Sequence, residues 1–374
     1  MSSEETTSRI EQRLHSSGPK RLLALDGAGT RNAVTFPILE AMESGLQQQP
    51  GNSELRLCDY FDVIGGTNTG AVIAAMLARG MSVREAQEHF LTLCPRLFNV
   101  QPLYKRLTSK YSGAAARVVL MEIFGEESLD SERLQSGLCI FTYRLDEAAP
   151  FAFHNLPSTT GYSSPLLCDC LSASLASPTY FEPVQIAVAL GEMGVFVDAN
   201  LAMTGGAAVP LFLTTTSVEQ RFQFPTGEKN LLLVAVGTGE AAPEATPEEA
   251  QDRNVIGWAS ALPSFLLADA KRQNEIFLRA ISRNPQPLLG DEELSEVNAD
   301  LLPSDPALTY VRFDFNFSAL GALGLDELIS KRQLLARMDN VEFWSELLDI
   351  GNAVAREVDV SHFPGPYART GAFA

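Results

Sequence analysis

The chain of 374 residues has few histidines, few cysteines and too little positive charge to balance its acids. His15, His89, His154 and His362 stand in no triad context and read as surface or core side chains. The five cysteines, Cys58, Cys94, Cys139, Cys168 and Cys170, are odd in number and contain no C-x-x-C pair. That pattern supports neither a disulfide framework nor a structural zinc site; it fits buried free thiols in a reducing compartment. Lys and Arg number 28 against 46 Asp and Glu, giving a formal net charge of −18. Such a field repels phosphate backbones and opposes electrostatic docking on anionic membranes, so nucleic acid is not an expected partner. A local apolar or basic patch would still allow peripheral membrane contact. No apolar run reaches bilayer length, so no transmembrane segment is expected. The opening "MSSEETTSRIEQRLHSS" is polar and lacks an apolar leader core, and the expected location is the cytoplasm.

Hydrophobic residues make up 45% of the chain, enough for a sizeable core. Residues 1–18 read as a polar arm. "RLLALD", "YFDVIGG", "GVFVDAN" and "LLLVAVGTG" are short apolar strands, and "CIFTYRLD" with "APFAFHNL" alternates like a strand pair. Between them lie helical stretches, one capped by Ser82 and one ending before Pro178. "EAAPEATPEEAQDRN" (240–254) reads as an exposed acidic loop. Beyond it come helical stretches, a strand "TYVRFDFNF", and amphipathic helices around "LDELISKRQLLARM" and "VEFWSELLDIGNAVAREV". Strands alternating with helices predict a three-layer α/β/α domain with a mostly parallel central sheet and a helical C-terminal extension.

Three stretches carry the chemistry. "DGAGTR" (26–31) lies between a strand and a helix, where glycines expose backbone amides to an anion or oxyanion. Read alone it is a structural turn, and a dinucleotide fingerprint would need a glycine where Asn32 stands. Gly66-Thr67-Asn68-Thr69-Gly70 has the spacing of a strand-to-helix elbow, whose flanking glycines relieve crowding around a strained central residue. Asn68 tolerates the positive φ of that corner, and its carboxamide donates and accepts hydrogen bonds. It offers no nucleophile. Asp198 closes a strand in "VFVDAN"; in isolation it reads as a turn or cap residue.

Together with "LSASLASPTYFEPV", these stretches occur in an order that resembles the patatin-like phospholipase family, most strongly over residues 20–240, with 241–374 as the C-terminal part of one domain spanning 19–374. The resemblance implies a Ser–Asp dyad that cleaves lipid acyl esters without histidine, metal or cofactor. By position the dyad aspartate is Asp198, the oxyanion loop is Gly27, Ala28, Gly29, Thr30 and Arg31, and the elbow is held by Gly66 and Gly70. Residue 68, the serine position, is Asn. Ala28, Asn32, Ala199 and Asn200 also depart from the family pattern. Thr67 and Thr69 flank residue 68, but a shift of one residue on the elbow turns a side chain away from the oxyanion loop.

Three functional readings follow, all with a small apolar acyl or lipid-like ligand. In the first, a lipid acyl hydrolase is disabled by a Ser-to-Asn change. In the second, the fold serves as a catalytically silent binding or scaffold protein. In the third, which is preferred, the site is repurposed to non-hydrolytic acid/base chemistry, with Asp198 as base and Asn68 polarising a carbonyl.

Overall fold

The computed structural model describes residues 9–98, 101, 109–156, 164–189, 191–202, 205–217, 222–241, 247–286 and 304–363. The start of the expected arm and residues 242–246 of the expected acidic loop lie outside these. Within the expected arm, Arg9–Leu14 forms a helix, α1, with Ile10 and Leu14 buried. Arg13 is buried with them and donates to the Phe61 carbonyl at 2.8 Å, which ties α1 to the turn entering the second strand.

The first βα unit is β1 (Lys20–Leu25), a 3-10 helix (Gly29–Val34) and α2 (Thr35–Gln47). After a one-turn helix, α3 (Leu57–Tyr60), the second unit is β2 (Val63–Thr67) and α4 (Asn68–Ala78). Then come α5 (Val83–Leu97) and α6 (Gly113–Phe124). Ser82 caps α5 as expected, in a reciprocal box with Glu85: the Glu85 amide donates to Ser82 Oγ at 3.2 Å and the Ser82 amide to Glu85 Oε2 at 2.8 Å. The hairpin β3 (Gly137–Arg144) and β4 (Ala149–His154) leads to α7 (Leu167–Leu175). A second hairpin, β5 (Val184–Ala189) and β6 (Glu192–Asp198), follows, then α8 (Ala208–Thr216) and β7 (Leu231–Val236). A short helix, α9 (Pro247–Gln251), precedes α10 (Val255–Ile281), β8 (Ser282–Arg283) and β9 (Leu308–Phe313).

The strands form one nine-stranded sheet in the order β5-β6-β3-β2-β1-β7-β9-β8, with β4 on the free edge of β3. From β3 to β8 every pairing is parallel; the two hairpins add the antiparallel part. β1, β2 and β7 are buried along their whole length, which is why they read as unbroken apolar runs. Gly65 and Gly66 show the layering. A side chain at 65 would strike Leu211 of α8, and one at 66 would strike the Gly70–Ala71 turn of α4, so the two helices cover opposite faces. The fold is the expected three-layer α/β/α arrangement.

In the C-terminal part the expected strand forms as β9, with the two-residue β8 added beside it. The stretch around "LDELISKRQLLARM" is not one amphipathic helix. It breaks into a 3-10 turn (Asp326–Lys331) and a single α turn (Arg332–Leu335) after Gly324, which holds φ +74°. The chain then crosses the glycine-rich loop before the helix Trp344–Ala355 packs on α2 and on the 3-10 helix. All five cysteines are free and buried.

Candidate functional site

Register alone brings the two key side chains together. The first half of β3 pairs with β2, so that Phe141 faces Thr67; the next residue, Thr142, pairs with Asp198 of β6. β2 and β6 approach along the same edge of β3 from opposite directions, and their C-terminal ends meet. Asp198 is the last residue of β6 and Asn68 the first after β2, so both stand at that junction.

The chain turns sharply at Asn68, which holds φ +48°. This is the strained corner that the flanking glycines imply. At Gly70 a Cβ would lie 2.4 Å from the Leu25 carbonyl and 2.7 Å from that of Asp26, so β1 can run against α4 only because position 70 has no side chain. The Asn68 amide donates to Ser174 Oγ at 2.9 Å, and Ser174 Oγ donates to the Phe141 carbonyl at 2.8 Å. This relay through α7 fixes the elbow against β3.

The Asn68 side chain faces Asp198. Its Nδ2 donates to Asp198 Oδ2 at 3.2 Å and to Ser177 Oγ at 3.1 Å. Asp198 Oδ2 also accepts from Ser177 Oγ at 2.5 Å and from Asn200 Nδ2 at 3.1 Å, and Oδ1 accepts from the Asn200 amide at 3.2 Å. Asp198 is 1% exposed. Burial pushes its carboxyl above the ordinary range, and the donors from Ser177, Asn200 and Asn68 only partly pull it back. The result is a buried carboxylate with hydrogen-bond donors but, among the described residues, no cation at contact distance, a combination suited to taking a proton.

The glycine-rich loop lies across the elbow. The Gly27 amide donates to Thr67 Oγ1 at 3.1 Å, and the Ala28 amide to Asn32 Oδ1 at 2.8 Å. Asn32 is completed by Nδ2 bonds to the Asp26 carbonyl and to Thr35. On the elbow, the Thr69 amide donates to Asn68 Oδ1 at 2.8 Å. Two backbone donors that could have faced a substrate oxygen thus meet carboxamide oxygens. The Thr30 amide donates to the Met338 carbonyl at 2.8 Å. Gly29 holds φ +63°, and a Cβ there would sit 1.9 Å from that carbonyl. Arg31 turns to the C-terminal segment, donating to the Ala336 carbonyl at 3.3 Å and lying 5.8 Å from the Phe317 ring centroid. Burial lowers its pKa to about 10, against the pull of Asp314 and Tyr180.

A narrow recess, with room for no more than about one water, opens beside the pair. Gly29, Asn68 and Ser177 line it together with apolar Leu97, Phe181 and Met338. Among the described residues no group of three or more His, Cys, Asp and Glu side chains is gathered as a metal site requires.

The sequence reading missed Ser174, Ser177, Asn32 and Asn200 as functional neighbours. Ser177 had a visible signal: it follows α7 and precedes Pro178, where the chain must leave the helix. That signal gives a turn, not a partner, and the partner lies across the sheet.

The model of a family described as "Patatin-like phospholipase" matches residues 23–209, a span that holds the loop, the elbow and Asp198. Among curated proteins, "Probable inactive patatin-3-Kuras 1" of Solanum tuberosum is 29% identical over 279 residues, covering 70% of this chain and 74% of that one. "Patatin-17" of Solanum cardiophyllum is 26% identical over 276 residues, with coverages of 69% and 71%. Among solved structures, human GIVD cytosolic phospholipase A2 in complex with methyl gamma-linolenyl fluorophosphonate aligns with a TM-score of 0.47 at 11% identity, over 93% of this chain and 60% of that one. VipD from Legionella pneumophila aligns with a TM-score of 0.36 at 12% identity, over 89% and 67%.

Proposed function

This chain belongs to the patatin-like phospholipase family, and from that premise we propose that it acts on an apolar acyl or lipid-like substrate by acid/base chemistry at Asp198, without a covalent bond to residue 68. One observation carries the reading: a buried Asp198 carboxylate bonded to Asn68 on an elbow that keeps its strained corner. An amide nitrogen has its lone pair delocalised and does not attack an ester, but Nδ2 can donate to a substrate oxygen by exchanging its bond to Ser177. Residues 19–374 act as one domain in this reading. The free thiols fit a reducing compartment such as the cytoplasm. No helix of the described residues is long and apolar enough to cross a membrane, so lipid would be met from the aqueous side.

The base must be charged to work. Because burial raises the Asp198 carboxyl, the acid limb of kcat/KM should lie above the ordinary aspartate value of about 3.9. A pH–rate profile on a short-chain ester checks this. An acid limb at or below that value would remove Asp198 as the base.

A second reading, a silent binding protein, is favoured by the two amides that meet Asn32 and Asn68 instead of open space. Wild type and Asn68→Ser, tested on a short-chain ester and on phospholipid vesicles, separate the readings. We expect turnover by the wild type and at most a modest gain from Asn68→Ser, because the Ala28 amide stays bonded to Asn32. No wild-type turnover of any acyl substrate would favour the silent protein. An inert wild type with full hydrolase activity in Asn68→Ser would favour a hydrolase disabled at one position.

A further inference from the structure

A serine hydroxyl stands on the Asp198 carboxylate, though not at the elbow. Ser177 Oγ is 2.5 Å from Asp198 Oδ2 and accepts from Asn68 Nδ2 at 3.1 Å. We infer that Ser177 is the nucleophile of this site, moved from the elbow to the turn after α7 and activated by Asp198. The inference rests on the reading of Asp198 as base and names the proton it takes.

The other hydroxyls around the elbow are held in structural roles. Ser174 is fully buried, accepts from the Asn68 amide and donates to the Phe141 carbonyl. Thr67 is fully buried with its oxygen on the Gly27 amide. Thr69 is fully buried and donates to Asn32 Oδ1 at 2.6 Å. Ser177 differs from all three. It is half-buried, it lines the recess with Gly29 and Asn68, and its hydroxyl bonds the carboxylate. Its turn is also strained. Thr179, two residues on, holds φ +73°, a conformation costly for a β-branched residue. The amides of Tyr180 and Phe181 both donate to the Ser177 carbonyl and hold the turn in place.

The chemistry balances with groups present. Ser177 Oγ attacks the acyl carbon as its proton passes to Asp198. Asn68 Nδ2, whose two hydrogens rest on Ser177 Oγ and Asp198 Oδ2, releases one of them to donate to the oxygen that gains charge. The acyl carbon–alkoxy oxygen bond breaks, and the leaving alcohol takes the proton from Asp198. Water then attacks the acyl-Ser177 ester, giving a proton to Asp198. The carboxylic acid leaves, and Ser177 Oγ recovers its proton. The reaction is hydrolysis of an acyl ester, with no oxidant, reductant or metal.

An alkyl fluorophosphonate tests the assignment, because it forms a stable oxygen–phosphorus bond with an activated serine as fluoride leaves. The full-length protein is labelled and digested, and the modified peptide is mapped by mass. We expect the adduct on Ser177, absent in Ser177→Ala and slowed by about 10²-fold or more in Asp198→Asn. Fatty-acid release should fall by a similar factor in Ser177→Ala, with an unchanged far-UV circular dichroism spectrum showing that the fold is kept. An adduct on Thr67, Thr69 or any other residue, or no adduct at all, overturns the assignment. Turnover that needs Asp198 but survives Ser177→Ala overturns it too, while leaving the Asp198 reading standing. An adduct on Ser177 without turnover of any acyl ester supports the assignment and sinks catalytic turnover as the function.

Discussion

Replacing Asp198 with Asn should lower kcat by about 10²–10⁴-fold, the usual contribution of a positioned general base. The fold should survive. Asn has nearly the same shape, and its single carbonyl oxygen can take the Oδ2 position, where Ser177, Asn68 and Asn200 all donate. Its NH2 would then face the Asn200 amide, so one acceptor, Oδ1, is lost. That loss costs on the order of 1–3 kcal/mol, but the variant no longer buries a charge. The sign follows from linkage. A carboxyl raised in the folded state gives stability that is present below its unfolded pKa and disappears as pH rises through its folded pKa. The variant should therefore compare best with the wild type at neutral pH and worst near pH 4. Urea titrations at the two values, beside kcat from ester turnover, check both halves. Ser177 would still find an acceptor, so the hydroxyl stays placed and loses only its base. A variant that keeps more than about a tenth of wild-type kcat would end the case for Asp198.

Arg312→Met should destabilise the protein by about 3–5 kcal/mol, the scale for removing one member of a buried ion pair. Arg312 lies beneath the loop on β9. Its Nη2 is 2.5 Å from Asp26 Oδ2 and 2.7 Å from Asp314 Oδ2, and all three side chains are about 6% exposed. Methionine fills much of the volume but leaves Asp26 without this cation, directly before the glycine-rich loop. Asp314 keeps Lys271 at 2.9 Å. Burial alone would raise the Asp314 carboxyl, but Lys271 and Arg312 outweigh it and hold the group well below the usual carboxylate range. A depressed carboxyl contributes stability above its unfolded pKa, near 3.9, and loses it as pH falls through the folded value. The wild type should thus lose stability on acidification, and Arg312→Met should lose less because less is left to lose. Unfolding midpoints in urea at pH 7 and pH 3 measure this. Equal midpoints for the two proteins at pH 7 would show that the cluster contributes nothing net.

The strand-to-helix grammar was legible because it rests on local rules: β1 and β2 are continuous apolar runs, a turn residue tolerates positive φ, and helices begin at caps. Asn68 could therefore be placed on its corner from a short stretch, whereas Asp198 alone reads as a turn residue and is singled out only by the order of the stretches in the family resemblance. Ser177 could not be named by either route. Its role depends on Asp198 and Asn68, 21 and 109 residues away, and hydrogen-bond partners at such range leave no periodicity. Asn32 was noted only as a missing glycine, although its carboxamide organises the loop. The helix expected near residue 330 failed for a related reason. The chain there must bend to set the Met338 carbonyl on the Thr30 amide, a demand made by a loop some 300 residues earlier.

The meeting of β2 and β6 on one edge of β3 also sets an order in time. The hairpins β3–β4 and β5–β6 each need only local contacts and can form early. The elbow needs only β2 and α4. Asn68 and Asp198, 130 residues apart, come within reach only when the second hairpin docks beside Thr142. That docking closes a long loop and pays its entropy in one step. During refolding the helical signal should return first and the Asn68–Asp198 contact last, and in a chain emerging from the ribosome that contact waits until β6 has been made.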